Sequence, residues 1–410
     1  MKVIVASCVF PPEPVVSAKT SMDVARYLHG EGHEVVVACP TPSRNIAKAD
    51  VERKISEMPQ PFKVARLSAL ASKKSGFFSR FIENISFGLS VFIFILKQRK
   101  VDLVYANVWP VFSLGLLVLA CRIKGIKVVA SIQDLYPESL SAQKRLKETS
   151  AIFKTLFFLD SWIAKKCDHI VVISEGFKSA FVERRGVKES KVTVIRNWVK
   201  SNQVEVCDRT EARTELARHL SITLRDETFV CVYGGNMGVA SGLDELMQHV
   251  VLFKKDVLFV LAGDGSLVPG LRELVSKSGC ESKVKFIVPW PSEMTSLVFG
   301  AADVLLLPIA AGQEWASVPS KLITYMLSSR PIMLLTNKRS ESAIELEKSG
   351  AGFCVEDRTD QAIFSCLDSL MELSPQERLS MGTSGREYAE NFYSSDVALA
   401  KINKIFGSLV

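Results

Sequence analysis

The segment GQEWASVPSKLITYMLSSRP, residues 312–331, predicts a loop that runs into a helix and ends where another strand begins. Ser317 or Ser320 can cap the helix, and Pro319 suits its first turn, where a missing N–H costs nothing. The predicted buried face consists of apolar residues at helical spacing, namely Ile323, Met326 and Leu327. Apolar runs flank the segment, so it predicts one β–α–β unit of a parallel sheet.

The start of this helix also predicts an anion site. Unpaired N–H groups at a helix start attract anions, and Lys321 adds a full positive charge. A hydroxyl, several free amides and one lysine together suit a diphosphate. The alternative, which this stretch leaves open, is an ordinary surface helix start with a solvated lysine.

The same alternation of apolar strands and amphipathic helices extends over most of the chain. Strands are predicted at 2–9, 34–39, 102–106, 127–132, 169–173 and 191–195, and again at 229–233, 257–262, 284–287, 304–307 and 332–335. A polar stretch, 201–210, separates the two series and predicts a linker. The pattern therefore predicts α/β architecture, with two doubly wound, Rossmann-like domains of similar size facing across a cleft.

Charge and cysteine content limit the function. Residues 1–197 contain 30 Lys and Arg against 17 Asp and Glu, whereas the remainder contains 21 against 27. The first half therefore faces something anionic, and no nucleic-acid module or basic stripe with interleaved aromatics accompanies the charge.

Nine scattered cysteines without a CxxC or Cys/His cluster favour a reducing cytosol and no zinc site. Residues 1–10 predict a first strand and not a signal peptide.

Phe77–Lys97 is unusually apolar and aromatic, but its longest uncharged run, 85–96, is shorter than the ~20 residues of a spanning helix. A buried core helix is the first interpretation. A helix that docks in the membrane interface, with basic residues on both flanks, is the second. A true span is the third.

Glycine-rich turns follow the strands of the second half. The strand at 229–233 is followed by Gly234-Gly235-Asn236-Met237-Gly238, and the strand at 257–262 by Gly263-Asp264-Gly265. Val288-Pro289 follows the third strand. Ligands of open α/β sheets bind at the carboxyl ends of strands, so these turns and the opening segment predict one ligand site. Each turn alone is also explained as an ordinary tight turn. No GxGxxG or Walker A sequence is present, which disfavours an NAD-linked dehydrogenase.

In the first half, Asp134 and Glu138 follow the strand at 127–132. A carboxylate there can hold sugar hydroxyls or take a proton from an acceptor. Asp134 can also simply cap the turn before Pro137. The five histidines lie away from any candidate nucleophile, so a Ser/His/Asp or Cys/His device is not supported.

At this point the motifs resemble a known family. They are FPPEPVVSAKTSMDVARYLHGEGHEVVV (10–37), VDLVYAN (101–107), SIQDLYPES (131–139), IVVISEGF (170–177), VTVIRNWV (192–199), VYGGNMG (232–238), LAGDGS (261–266), KFIVPW (285–290) and SVPSKLITYMLSSRP (317–331). In order and spacing they resemble the family 4 glycosyltransferases of GT-B fold, and among these the WbuB-type enzymes of bacterial O-antigen and capsule synthesis. Those enzymes are assigned as N-acetyl-L-fucosamine transferases that use a UDP-sugar and a lipid-linked acceptor.

The resemblance implies a retaining, metal-independent transferase without a cofactor, peripheral on the cytoplasmic face of the inner membrane. Residues 1–197 would bind the acceptor and face an anionic membrane. Residues 198–393 would bind the nucleotide sugar, and a helix at about 394–410 would pack back on the first domain. The acceptor expected from the resemblance is a sugar linked to polyprenyl diphosphate.

The resemblance also implies residue roles. The donor would meet the glycine turns and the opening segment: Gly235, Asn236, Met237, Gly238, Gly263, Asp264, Gly265, Val288, Pro289, Ser317, Val318, Pro319, Ser320 and Thr324. The sugar and acceptor side would be formed by Pro14, Val15, Val16, Ser17, Lys19 and Glu138. The candidate catalytic residues are Lys321, Asp134 and Glu314.

Several family positions differ in this chain. Two family glutamates correspond to Ala316 and Thr324, and Glu314 is a candidate replacement for the first. A family arginine and lysine correspond to Asn236 and Ser241, which leaves Lys321 as the substitute cation. A UDP-sugar epimerase of the same fold is the alternative enzyme, and a non-catalytic nucleotide-sugar-binding protein is a third interpretation.

Overall fold

The computed structural model describes residues 1–13, 15–42, 50–70, 77–142, 145–198, 204–313 and 320–410, without the side chains of residues 16, 77–80, 142 and 292. The chain forms two compact units. The first contains Met1–Asn197 together with Asp396–Val410, and the second contains Trp198–Ser395. Each unit is an α/β domain built on one parallel sheet.

The described residues of the first unit contain the strands β1 (Lys2–Ser7), β2 (Glu34–Pro40), β3 (Lys63–Leu67), β4 (Leu103–Asn107), β5 (Lys127–Ile132), β6 (His169–Val172) and β7 (Val192–Val194). Its helices are α1 (Val16–Gly30), α2 (Val51–Ser56), α3 (Phe77–Lys97), α4 (Phe112–Lys124), α5 (Glu138–Ala142), α6 (Ala151–Lys166) and α7 (Glu175–Ser179), and α7 continues into a π-helical turn at Ala180–Arg184.

The sheet of the first unit has the order β3-β2-β1-β4-β5-β6-β7, with every pair parallel. β1 lies next to β2 and β4, and Ala6 pairs with both Ala38 and Ala106. Residues 3–6 are fully buried, as expected for a strand covered on both faces by helices. Their continuous apolar sequence follows from that position.

Helices α3, α4 and α6 form one layer over this sheet. Phe87 of α3, Leu117 of α4 and Ile163 of α6 belong to one buried cluster with the sheet residues Val104 and Ala130. The helices pack closely because glycines lie at their contacts. A Cβ on Gly88 would be 2.9 Å from Ser113 Cα, and one on Gly115 would be 3.0 Å from Ile163 Cδ1. The predicted core helix at Phe77–Lys97 is therefore present and contributes to the core.

The described residues of the second unit contain β8 (Phe229–Gly234), β9 (Val257–Ala262), β10 (Val284–Ile287), β11 (Val304–Pro308), β12 (Ile332–Leu335) and β13 (Gly352–Val355). Its helices are α8 (Arg209–Leu220), α9 (Leu243–Val250), α10 (Val268–Lys277), α11 (Thr295–Gly300), α12 (Ser320–Leu327), α13 (Glu341–Ser349), α14 (Asp360–Glu372) and α15 (Pro375–Tyr393). The sheet order is β10-β9-β8-β11-β12-β13, again all parallel.

The last helix, α16 (Ser395–Leu409), belongs to the first unit. The ring of Phe406 lies 6.2 Å from that of Tyr105 in β4. Asn403 contacts two residues that follow α1: its Oδ1 lies 3.4 Å from His33 Nε2, and its Nδ2 donates to Glu31 Oε2 at 3.3 Å. A helix from the end of the chain thus completes the domain formed by the beginning.

The two doubly wound domains confirm the predicted α/β class, and the structure differs from the prediction in some details. The sequence predicted no element at α2, and the edge strands β3 and β13 were not predicted either. α8 begins at Arg209, within the stretch expected to be a linker, and α14 was also missed. No helix within the described residues is long and apolar enough to cross a membrane, so the spanning alternative for Phe77–Lys97 was wrong.

Candidate functional site

The turns that follow β8 and β9 are bonded to each other at the carboxyl edge of the second sheet. Gly235 N donates to Ala262 O at 2.8 Å, and Met237 N donates to Asp264 O at 2.8 Å. Leu267 N donates back to Met237 O at 2.9 Å, and Gly263 N donates to the backbone carbonyl at the end of β10. Strand ends predicted to share a ligand site are therefore brought together.

The glycines in these turns are required by the close approach of the two backbones. Gly263 has φ +150°, and a Cβ there would overlap the carbonyl oxygen of Gly235. Gly265 has φ +154°, and a Cβ would lie 2.5 Å from the carbonyl of Met237. Only glycine adopts such φ values without strain. Loop packing alone explains these glycines, and their role toward a donor stays a prediction.

Lys321, in the first turn of α12, lies directly over these turns. Its ammonium donates to the hydroxyl of Tyr233 and, at 3.0 Å, to the carbonyl of Asn236, and it lies 4.5 Å from the centre of the Tyr233 ring. Burial lowers the pKa of Lys321 to about 8, and no carboxylate among the described residues offsets that effect. A partly desolvated cation without a counter-charge is suited to an anionic ligand.

Two tyrosines hold Lys321 and its helix in place, and sequence reasoning missed both. Tyr233 Oη donates to Asn236 O at 2.6 Å, and burial raises the pKa of this phenol to about 12. Tyr325 is fully buried, and its hydroxyl accepts from Gly234 N at 2.8 Å and donates to Gly234 O at 3.1 Å. α12 is thereby fastened to the end of β8. Tyr325, four residues after Lys321 on the same helix, is the feature of the sequence that could have indicated this attachment.

The remaining predicted donor residues of the second unit have diverse environments. Thr324 Oγ1 donates to Ser320 O at 2.9 Å within its own helix. Asn236 and Asp264 are exposed at the rim, and Asp264 Oδ1 accepts from Gly265 N at 2.7 Å. Met237 contributes its side chain to the core, so only its backbone faces the turns.

The rest of the predicted set is divided between described and undescribed residues. A cis peptide joins Val288 to Pro289 after β10, and Gly238 begins the short turn that leads to α9. The residues outside the described part are Pro14, Glu314, Ser317, Val318 and Pro319, and the side chain of Val16 is also not described. The roles given to these residues stay predictions.

The first unit has a pocket of about 350 Å³ near the carboxyl ends of β4 and β5. Its lining combines aromatic and polar residues: Phe81, Asn84, Trp109, Pro110, Phe112, Asp134, Tyr136, Ser139, Leu140 and Arg145. The carboxyl of Asp134 is open to solvent on one side, yet the surrounding protein displaces enough water to raise its pKa. An aromatic wall beside a carboxylate is a suitable surface for a sugar.

Glu138, predicted for the acceptor side, is bonded within the first unit. Its Oε2 accepts from Arg185 Nη2 at 2.7 Å, and Arg185 Nε donates to Asp160 Oδ2 at 2.7 Å. Arg185 is fully buried and lies between the rings of Phe157 and Phe181, 4.8 and 4.7 Å from their centres. This ion-pair cluster holds α5, α6 and the end of the π-helical turn together, and it was not predicted from the sequence.

The start of α1 lies beside the ends of β1 and β4. Asn107 Nδ2 donates to Ser17 O at 3.4 Å and to Ser21 Oγ at 2.9 Å, and Val15 N donates to Glu13 O at 2.9 Å. Val15, Ser17 and Lys19 therefore lie on the carboxyl edge of the first sheet, as expected from their position after β1. Among the described residues, no group of three or more His, Cys, Asp or Glu could hold a metal ion.

Comparison with known proteins identifies both domains. Residues 18–203 match the family model described as Glycosyltransferase Family 4, and residues 228–372 match the model described as Glycosyl transferases group 1. The chain is a two-domain glycosyltransferase. The boundary between the two matches lies close to the division of the structure at Asn197 and Trp198.

Two curated relatives of this glycosyltransferase carry related names. It is 25% identical over 335 residues, 80% of each chain, to a probable glycosyltransferase, WbjE, of Pseudomonas aeruginosa. It is 22% identical over 419 residues, 99% of this chain and 100% of the relative, to a putative colanic acid biosynthesis glycosyl transferase, WcaI, of Escherichia coli K12.

Solved structures establish the fold of this glycosyltransferase. Anabaena HepE, solved with UDP and glucose, matches with a TM-score of 0.68 at 16% identity over 100% of both chains. WaaG, a glycosyltransferase involved in lipopolysaccharide biosynthesis, matches with a TM-score of 0.64 at 14% identity over 98% of this chain and 99% of that one. With its two parallel-sheet domains, the chain has the predicted GT-B fold.

Proposed function

We propose that this glycosyltransferase moves a sugar from a UDP-sugar to a lipid-linked sugar acceptor, with retention of configuration, in the synthesis of a bacterial O-antigen or capsule. An N-acetylated amino sugar such as N-acetyl-L-fucosamine is the donor sugar that the sequence resemblance favours. The polyprenyl-diphosphate-linked acceptor would be met at the cytoplasmic face of the inner membrane.

The observation that carries the donor assignment is the environment of Lys321. The ammonium is fixed over two glycine turns by Tyr233 and Asn236, and burial lowers its pKa to about 8. A diphosphate beside it would supply the counter-charge that the described residues do not. HepE has been solved with UDP and with UDP-glucose, which supports a uridine diphosphate as the ligand.

The pocket of the first unit supports a sugar acceptor. Trp109 and Tyr136 offer apolar ring surfaces, while Asp134 offers a carboxylate and Arg145 a guanidinium. Stacking on aromatic rings suits the apolar faces of a sugar, and a guanidinium suits a phosphate oxygen. We assign the acceptor sugar to this pocket, with Arg145 toward the diphosphate of the lipid carrier.

The proposed chemistry needs no enzyme nucleophile. The bond between the sugar C1 and the UDP oxygen breaks, and a bond from C1 to the acceptor oxygen forms on the same face. The acceptor proton passes to the departing phosphate oxygen. Lys321 stabilises the charge that develops on this phosphate, as preorganised donors do in other transferases. Because Lys321 supplies the positive charge, we propose that no metal is used, and a chelator should leave the rate unchanged.

The test is UDP release from a panel of UDP-sugars with a lipid-diphosphate-sugar acceptor. Lys321→Ala should lower kcat by on the order of 10²–10³, the usual loss for one well-aimed donor. Lys277→Ala is the matched control, because Lys277 is exposed and bonded to Glu273 in the same unit. Near-normal turnover by a folded Lys321→Ala variant would refute the assignment.

The epimerase alternative is not favoured, because both family models and both curated relatives are glycosyltransferases. The same assay separates the two activities. An epimerase would convert the UDP-sugar without acceptor, whereas a transferase should release UDP only when acceptor is present.

A further inference from the structure

The outer side of the α3–α4–α6 layer is unusually apolar for an exposed surface. Each helix presents a pair of large apolar side chains at i, i+4 spacing, opposite the residues that face the sheet. These are Leu89 and Ile93 on α3, Leu119 and Ile123 on α4, and Phe158 and Trp162 on α6, each between 48% and 68% exposed. We call this surface the three-helix face.

The three pairs lie side by side because the helices are neighbours. α3 packs on α4 through Gly88, and α4 packs on α6 through Gly115. With neighbouring helix axes about 10 Å apart, the face is about 20 Å wide. At about 100 Å² for each half-exposed side chain it presents roughly 600 Å², the upper end for the largest apolar patch of a monomer.

The exposed charges on the three helices themselves have one sign. The sequences of the three helices contain two acidic residues, Glu83 and Asp160, and both are buried. Exposed basic residues lie toward the carboxyl ends of the helices, beside or after the apolar pairs: Lys97, Arg122, Lys124, Lys165 and Lys166. Lys166 lies 5.7 Å from the ring of Trp162, so cationic and aromatic groups are adjacent on the surface.

We propose that the three-helix face docks on an anionic lipid bilayer, with the apolar pairs at the level of the acyl chains and the basic ends against the headgroups. This inference rests on the proposed lipid-linked acceptor. Apolar side chains bounded by lysine and arginine are the usual composition of an interfacial surface, and tryptophan favours the headgroup region. The interface-docking interpretation of Phe77–Lys97 is thereby extended to α4 and α6.

A second copy of the chain fits this face less well than a membrane. In a two-fold dimer the same surface meets itself, so the basic ends would approach other basic ends or lie over apolar side chains. Exposed acidic groups on the three helices that could compensate are absent from the described residues. An anionic bilayer supplies both the apolar interior and the negative charge.

The first test is cosedimentation of the full chain with vesicles of phosphatidylcholine, with and without phosphatidylglycerol. Binding should require phosphatidylglycerol and weaken with salt. Lys165→Gln with Lys166→Gln should weaken it about 30-fold, a factor of about five for each lysine near the surface. Lys254→Gln with Lys277→Gln is the control with the same charge loss on the second unit, and it should bind like the parent.

The apolar pairs are tested separately. Leu119→Ser with Ile123→Ser should weaken vesicle binding at least tenfold, whereas the exposed residues of the second unit, changed as Leu252→Ser with Leu379→Ser, should leave it unchanged. Brominated lipid should quench the fluorescence of the parent, and Trp162→Phe should remove most of that quenching. Thermal unfolding checks that each variant is folded.

The inference is overturned if the parent ignores anionic vesicles, or if the face and control variants bind equally. It is also overturned if the face variants convert a dimer into a monomer while vesicles have no effect, because the occupant is then a second copy. Transfer to a detergent-dispersed acceptor separates this from the proposed function. Transfer without vesicle binding contradicts only the docking surface, and vesicle binding without transfer contradicts only the activity.

Discussion

The affinity for UDP should fall steeply as the pH rises above 8, because Lys321 loses its proton there. Burial lowers the pKa of Lys321 to about 8 from its ordinary value of 10.5. A bound diphosphate favours the charged form, so it raises this pKa, and binding takes up a proton when the lysine is neutral. Full affinity is therefore present below about pH 8 and is lost above it.

The size of the effect follows from the titration. Each pH unit above the pKa of the free protein removes about a factor of ten in affinity, or about 1.4 kcal/mol, for as long as the complex keeps its proton. At about pH 9.5 roughly 3% of the lysine is protonated, which predicts about 30-fold weaker binding than at pH 7. Phosphate groups titrate near pH 6, so measurements should begin at about pH 7.

Calorimetric titration of UDP into the full chain across this range measures the effect, and buffers of different ionisation enthalpy report the proton uptake. Lys321→Arg should give a flat profile, because a guanidinium keeps its charge. Lys321→Met should give a flat profile at weak affinity. A parent affinity that is constant from about pH 7 to 9.5 would refute the reasoning, and so would a fall that persists in Lys321→Met.

Three further predictions concern the turns, the buried ion pairs and the acceptor pocket. Gly263→Ala should destabilise the second unit by roughly 2–4 kcal/mol, because its Cβ would overlap the carbonyl of Gly235 at a φ of +150°; urea unfolding measures this. Arg185→Met should cost about 3–5 kcal/mol in the same experiment, because it leaves the buried carboxylate of Asp160 without its partner and Glu138 with only the half-exposed Arg184. Asp134→Asn should lower kcat/KM for the acceptor by roughly 10–100-fold, the loss of about 1.5–3 kcal/mol expected for a charged hydrogen bond to the acceptor sugar, while leaving the Kd of UDP unchanged.

Each of these has a control in the chain. Gly270→Ala lies in α10 with no atom within 4 Å of the new Cβ, and it should stabilise by about 0.5–1 kcal/mol. An equal loss of stability in Gly263→Ala and Gly270→Ala would contradict the packing argument. Arg218→Met removes an exposed pair with Glu215 and should cost under about 1 kcal/mol. If Asp134→Asn changed only UDP affinity, the residue would not belong to the acceptor side.

The parts of the fold that the sequence predicted are those where the pattern itself has a physical cause. β1, β5, β8 and β9 are continuous apolar runs because helices cover both faces of their sheets, and each was predicted to within a few residues. The missed strands lie at sheet edges. β3 is half exposed, and β13 has only four residues and begins with Gly352. Both strands are specified by their single neighbour more than by their own sequence.

The candidate site also has a part that the sequence predicts and a part that it does not. Turns that follow predicted strands could be located in advance, since parallel strands end at one edge of a sheet. The contacts that fix Lys321 could not, because Tyr233 lies 88 residues away in an apolar strand, and nothing in the sequence indicates that its hydroxyl contacts the lysine. The contacts of Arg185 could not be predicted for the same reason. Its carboxylate partners Asp160 and Glu138 are 25 and 47 residues away, and only the folded chain brings them together.

The departures from the family pattern now have a physical consequence. Where the sequence resemblance leads us to expect an arginine and a lysine after the corresponding strand, this chain has Asn236 and Ser241. The contact between Lys321 and residue 236 is with the backbone carbonyl of Asn236, and Ser241 Oγ accepts from Leu243 N at 3.3 Å. An arginine remains charged throughout the accessible pH range, but a lysine with a pKa of about 8 does not. If Lys321 alone supplies the positive charge at this site, donor binding in this chain should depend on pH more steeply than binding at a site that contains a permanently charged arginine.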